Sequence, residues 1–276
     1  MSAVETPEPE TAPFVPNADY IEFSPITSRG WEKHFLLHVQ DVTAVFDGFK
    51  ALDISALGIG HNELRVIIGP NGAGKTTLCD VISGKTLPTT GRVHFDGKEI
   101  TNRKETDIAL MGIGRKFQTP TVFDSLTTFE NMELALPGHQ KLWPNLWNKV
   151  TTEQKDKIHH ILRRVNLLDQ VDTPAKFLSH GQRQWLAISV LILSSPKLLL
   201  VDEPAAGLTD SETELTAELL AELKGEHTLI VIEHDMDFVR QLNSTVTVLN
   251  EGKIMAEGSL EEVQQNQEVI EAYLGR

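Results

Sequence analysis

The stretch Gly69-Pro70-Asn71-Gly72-Ala73-Gly74-Lys75-Thr76, with Thr77 behind it, decides the fold. It fits G-x-x-x-x-G-K-[ST], a loop that cradles phosphate. Glycines let successive backbone N–H groups turn inward on phosphate oxygens with no Cβ in the way. The helix that follows offers unpaired N–H groups and the positive end of its dipole to the same anion. Lys75 can reach β- and γ-phosphates, and the Thr76 hydroxyl can coordinate Mg²⁺. The flanks agree with this reading. Glu63–Ile68 is a short, mostly apolar run bounded by Gly69, which predicts a buried strand. Thr76–Ser83 reads as a helix stopped by Gly84, with Pro88 beyond it.

Downstream, Lys197-Leu-Leu-Leu-Val-Asp-Glu203 predicts a central parallel strand buried on both faces. Ending such a strand in two carboxylates is costly unless they face a site. Ligands of open α/β sheets bind beyond the carboxyl ends of the strands, where these two would lie. That assigns Asp202 toward Mg²⁺ and Glu203 toward an attacking water. Thr228–Ile232 is a further buried strand with Glu233-His234-Asp235 at its end, so His234 is expected at the same sheet edge, in contact with the γ-phosphate. In Leu178-Ser-His-Gly-Gln182, Ser179 and Gln182 have capping-box spacing and mark a helix start, itself a plausible anion site.

The remaining segments frame this core. Phe35–Leu57 suits strands; Phe46, beside the Asp47-Gly48 turn, is either an aromatic for stacking on adenine or a core residue. Arg92–Ile100 alternates around Asp96-Gly97 and predicts a hairpin. Gln118 sits where an apolar segment ends and by itself signifies nothing. Thr128–Val171 reads as helical, with Ile158, Ile161, Leu162, Val165 and Leu168 forming an apolar stripe. Trp143 and Trp147 flank Pro144 at the edge of this region. A helix opening at Asp210 would place Leu215, Leu219 and Leu223 on one face. Thr245–Glu257 reads as a hairpin around Asn250-Glu251-Gly252, and a terminal helix is expected from about Ser259.

Composition limits the alternatives. With 276 residues and 40% hydrophobic content the chain can bury a sizeable core. A net charge of −14 opposes a nucleic-acid partner, which requires a basic patch. The single cysteine, Cys79, excludes an intrachain disulfide, suits a reducing compartment and is expected in the core. No stretch reaches the ~20 apolar residues that span a bilayer, and no signal peptide is visible. A soluble, cytoplasmic protein is expected, with any membrane role exerted through a partner. Residues 1–32, acidic and rich in proline, read as a disordered or loosely docked tail.

Taken together, these residues resemble the ATP-binding cassette ATPases over about residues 35–276. Six parts fall in the family's order: aromatic Phe46, the Walker A loop Gly69–Thr76, the glutamine-loop residue Gln118, the signature Leu178–Gln182, the Walker B strand Leu198–Glu203 and the switch histidine His234. The resemblance implies an α/β P-loop NTPase (RecA-like) core with an antiparallel β subdomain and an inserted helical subdomain at about 119–195. It implies head-to-tail dimers in which ATP lies between one subunit's Walker A loop and the other's signature. Ser179, Gly181 and Gln182 would then meet the γ-phosphate held by the partner. Glu203 would be the catalytic base, with Gln118 and His234 assisting. Thr76, Gln118 and Asp202 would hold Mg²⁺, and Gln118 would couple to the membrane subunit.

One departure is informative: His180 stands where the signature usually has glycine. With Gln182-Arg-Gln-Trp-Leu186, Glu233-His-Asp-Met236 and the ending Tyr273-Leu-Gly-Arg276, it looks like the urea-transporter ATP-binding subunits. These belong to the branched-chain amino-acid and amide importer group. The implied role is ATP hydrolysis on the cytoplasmic face of the membrane. The implied partners are a second ATPase subunit, two permeases and, indirectly, a periplasmic binding protein. Branched-chain amino-acid import is the alternative cargo. A soluble cassette acting on nucleic acid is disfavoured by the acidic charge.

Overall fold

The computed structural model describes residues 34–116, 122–136 and 150–274. The tail at 1–32, Gln118, the Trp143/Trp147 segment and Gly275-Arg276 lie outside the described residues.

Two sheets organise the chain. The first is antiparallel, with strand order β2-β1-β4-β5, built from β1 (Phe35–Phe46), β2 (Phe49–Gly60), β4 (Thr90–Phe95) and β5 (Lys98–Glu99). Asp47-Gly48 and Asp96-Gly97 make its turns, both residues of each pair at positive φ, as the tight hairpins of a twisted sheet require. The second sheet has the order β10-β9-β3-β8-β7-β6. Its strands are β3 (Leu64–Ile68), β6 (Ile113–Lys116), β7 (Leu198–Asp202), β8 (Thr228–Ile232), β9 (Thr245–Asn250) and β10 (Lys253–Gly258). All neighbours are parallel except β10, which returns antiparallel along β9. This is the α/β P-loop fold with an antiparallel β subdomain and a helical part.

The strand period divides the interior in two. Leu64, Val66 and Ile68 of β3, with Leu199 and Val201 of β7, face a core shared with α3 (Thr128–Leu134), α4 (Thr152–Arg164), α5 (His180–Leu193), α6 (Asp210–Leu223) and α7 (Met236–Leu242). Ile67, Leu198 and Leu200 point the other way, into a core shared with α1 (Lys75–Ile82) and the antiparallel sheet. Helix α1 is thus clamped between two sheets through Leu78, Cys79, Val81 and Ile82, and Cys79 is the core residue expected. Its thiol is pushed up to about 12 by burial and is inert at neutral pH. Within β3 a charge breaks the apolar pattern: Arg65 is buried, satisfied by Glu63, Thr247 and Glu257.

Three local expectations change. The region 128–171 is not one helix; a new capping box, Thr151 with Gln154, starts α4, and Leu168 falls in a 3₁₀ turn after the stripe. In α6 the buried face carries Thr216, Ala217, Leu219, Leu220 and Leu223, while Leu215 is exposed. The segment after Ser259 forms two short helices, α8 (Leu260–Gln265) and α9 (Gln267–Leu274).

Candidate functional site

Register places the motifs along one edge. Ile67 pairs with Ile232, Asp202 with Ile232, and Lys116 with Val201. The carboxyl ends of β3, β8, β7 and β6 therefore open on the same side. The Gly69–Thr76 loop leaves β3 there, beside Asp202-Glu203 and Glu233-His234.

The loop is fixed by close approach. A Cβ on Gly69 would lie 2.2 Å from the Leu249 carbonyl oxygen. A Cβ on Gly74, at φ 101°, would lie 2.6 Å from that of Ala51. The β9–β10 turn braces the loop, since Gly252 N donates to Ala73 O at 2.9 Å. Lys75 is buried and folds back, its Nζ donating to the carbonyls of Gly69 (2.7 Å) and Pro70 (3.1 Å). Burial lowers its pKa, opposed by the nearby Glu203 and Asp202 carboxylates. Asn71, Gly72 and Thr76 are exposed at the loop surface and Thr77 is half-buried.

What the start of α1 lacks is equally telling. Helices α3, α4, α5, α6 and α8 all begin with a full capping box, and α7 begins with the Asp235 carboxylate on two N–H groups. Helix α2 (Glu105–Leu110) also lacks a side-chain cap but carries Glu105 and Asp107 in its first turn, whereas α1 has neither a side-chain cap nor an acidic residue there. A helix leaves its first N–H groups without intrahelical partners, and here they sit beside a lysine. That combination fits a phosphate chain.

Opposite stand the acids. Asp202 ends β7 and is buried; its pKa is raised by burial first, against the pull of Arg115 and with a push from Glu203. Glu203 turns the chain out of the strand at φ 45°, a backbone region that non-glycine residues rarely adopt. His234 is exposed, its Nδ1 3.8 Å from Glu203 Oε1 and 3.7 Å from Glu233 Oε2. Among the described residues no group of three His, Cys, Asp or Glu side chains is placed to hold a metal. The hard oxygens of Thr76 and Asp202 nonetheless suit Mg²⁺, which takes few protein ligands and completes its shell with phosphates and water.

Phe46 is 46% exposed at the hairpin tip, so the core alternative is excluded. The signature forms the predicted cap: Ser179 Oγ accepts from Gln182 N, and Gln182 Oε1 accepts from Ser179 N. Hydrogen bonds from this segment run to the region of α6, through Glu212 and through Ala206 ahead of it, and none joins it to the Gly69–Thr77 loop among the described residues. Gln118, two residues past the end of β6 in the sequence, lies outside the described residues.

Two residues at this edge carried no role in the sequence reading. Glu233 is 1% exposed and accepts from the backbone N–H groups of Ala205 (2.9 Å), His234 (2.9 Å) and Asp235 (3.3 Å). It ties the loop after Glu203 to the loop carrying His234. The cost of burying a strand-end carboxylate, already applied to Asp202 and Glu203, was the signal available for it. Lys116 ends β6 with its Nζ buried and without a hydrogen-bond partner among the described residues. Burial pushes its pKa down to about 8 against the attraction of Asp202, Glu233 and Glu203.

A P-loop facing an acidic strand end, with a signature-type helix start elsewhere on the surface, defines a nucleotide-hydrolysing cassette. The comparisons agree. The family described as ABC transporter matches residues 52–206, and that described as branched-chain amino acid ATP-binding cassette transporter matches residues 253–276. The chain belongs to the ABC transporter family and is an ATPase of its cassette type. It is 35% identical to the high-affinity branched-chain amino acid transport ATP-binding protein BraF of Pseudomonas aeruginosa, over 87% of this chain and 98% of that one. A solved ADP conformation of an ABC-transporter cassette superposes with a TM-score of 0.76 at 33% identity, covering 87% of this chain and 99% of the other. A solved dimeric bacterial ABC transporter cassette gives 0.70 at 26% identity, covering 81% and 98%.

Proposed function

We propose that this chain is the ATP-hydrolysing subunit of an ABC importer. The observation that carries this reading is the uncapped, lysine-bearing start of α1 facing Asp202-Glu203 across one sheet edge. Backbone N–H groups of residues 71–76 wrap the β- and γ-phosphates, and Lys75 exchanges its carbonyl partners for phosphate oxygens. Phe46 stacks on adenine. Thr76 and Asp202, with Gln118, hold Mg²⁺, which when bound neutralises phosphate charge and draws electrons from the γ-phosphoryl group. Glu203 takes the proton of the attacking water. His234 contacts the γ-phosphate, its backbone N–H fixed by Glu233 Oε2 at 2.9 Å.

The signature acts in trans. Ser179, Gly181 and Gln182 reach the γ-phosphate bound by a second cassette; that a solved relative is a dimer supports the pairing of two cassettes. Permease subunits supply the pathway, a reading that the transport ATP-binding relatives support; no helix of the described residues is long and apolar enough to cross a membrane. The chain then works as a peripheral subunit on the cytoplasmic face, with a binding protein delivering the cargo.

For the cargo, the curated relatives support branched-chain amino acids better than the urea reading drawn from the sequence. His180 and its neighbouring motif residues support urea or a short amide. Uptake of labelled leucine and labelled urea by cells lacking this gene separates the two. For the activity itself, Glu203→Gln is expected to keep ATP affinity and lower turnover by at least about a hundredfold, the scale of a lost general base. Near-normal turnover would remove Glu203 from that role.

A further inference from the structure

The signature segment is engaged by an acid from its own chain. Helix α5 spans fourteen residues from His180, and its cap Ser179 donates its hydroxyl to Glu212 Oε1 at 3.2 Å. The same carboxylate lies in the space that Gly181 leaves open: a Cβ there would be 2.3 Å from Glu212 Oε1 and 2.5 Å from its Cδ. Glu212 is itself anchored, since its Oε2 accepts from Thr209 N and Thr209 Oγ1, both at 3.0 Å, in the capping box of α6. Thr209 before all else, and Ser179 and His180 after it, hold the carboxyl below the usual range, so it stays charged. His180 adds a second tie, its Nε2 lying 3.2 Å from the Ala206 carbonyl in the turn that leads to α6.

We infer that the Glu212 carboxylate is an internal stand-in for the anion at the signature, which a phosphate presented by a second cassette must displace. This rests on the in-trans reading of Ser179, Gly181 and Gln182 given above. A carboxylate and a phosphate oxygen accept from the same hydroxyl, and here Glu212 holds that of Ser179. They repel each other at that distance, so both do not occupy it. Glu212 therefore raises the ATP-bound fraction at which two cassettes close. It works by positioning: it touches Ser179 and Gly181 and leaves the nucleotide loop alone.

Glu212→Gln tests this cleanly. Glutamine keeps the side-chain shape and is the alternative residue of a capping box, so α6 keeps its start. In a Glu203→Gln background, to slow hydrolysis, ATP-driven association is measured by analytical ultracentrifugation, with the chain alone and with its second cassette. ATP affinity of the unassociated chain is measured alongside by fluorescence titration. Association is expected to tighten by roughly tenfold, the scale of one partly screened charge, with ATP affinity unchanged. Equal or weaker association, with thermal stability retained, overturns the inference. Ser179→Ala separates this from failure of the underlying reading. If that variant weakens association while Glu212→Gln changes nothing, only the stand-in role falls. If Ser179→Ala has no effect, or no variant associates with ATP, the in-trans signature falls and takes this inference with it.

Discussion

Replacing Glu233 by glutamine probes how the two loops of the acidic edge are held. The native side chain is 1% exposed and accepts three backbone N–H groups, one on Oε1 and two on Oε2. Glutamine has one acceptor oxygen and two N–H donors. In its better orientation the oxygen keeps His234 and Asp235, and the amide N–H₂ faces the Ala205 N–H. That buried donor is left unpaired, at about 1–3 kcal/mol, and the retained bonds lose their charge assistance. The expected total is about 2–3 kcal/mol. At roughly 2–4 °C per kcal/mol for a domain of this size, the midpoint should fall by roughly 4–12 °C. Thermal denaturation followed by circular dichroism measures it. Loosening this joint also frees His234, so turnover should fall while ATP affinity holds, because among the described residues no hydrogen bond or ion pair joins Glu233 to the Gly69–Thr76 loop. A midpoint within about 1 °C of wild type and unchanged turnover would refute the reasoning.

Lys75→Ala removes the cation from the phosphate loop and should weaken ATP binding by at least about a hundredfold in an equilibrium titration, the scale of a lost charged hydrogen bond or two; unchanged affinity would discredit the loop. Lys116→Met should stabilise the protein at neutral pH. Folding lowers the Lys116 pKa from 10.5 to about 8, so the charged form opposes folding by about 3 kcal/mol below pH 8. Between about pH 8 and 10.5 the unfolded chain holds more protons than the folded one, stability of the wild type rises, and the gain from methionine should shrink toward zero. Urea denaturation at pH 7 and pH 10 checks both the sign and the window.

Much of this edge was legible in the sequence because its elements are locally determined. β3, β7 and β8 read as buried strands because their apolar runs show on both faces, and the glycine spacing of residues 69–74 admits few other structures. The helix starts at Ser179 and Ser259 declare themselves through a residue three positions on. What was not legible depends on contacts distant in sequence. Leu215 was placed on the buried face of α6 by its spacing to Leu219. The structure instead buries Thr216, because its hydroxyl accepts from Trp185 Nε1 at 2.9 Å. The start of α4 is written in Thr151-x-x-Gln154, a signal the apolar stripe does not carry, since the stripe begins only at Ile158. Glu233 shows locally only as a carboxylate at a strand end; its bond from Ala205 N, like the bond from Ser179 to Glu212, exists only once segments distant in sequence are brought together.

The central claim is that a triphosphate is seated on residues 69–76 with its γ-phosphate toward Glu203. A crystal structure of the Glu203→Gln chain with ATP and Mg²⁺ tests it most directly. The account predicts the β- and γ-phosphates on the backbone N–H groups at the start of α1, with Lys75 Nζ moved from the Gly69 and Pro70 carbonyls onto phosphate oxygen. Nucleotide bound elsewhere, or Lys75 still holding those carbonyls with ATP present, would contradict it.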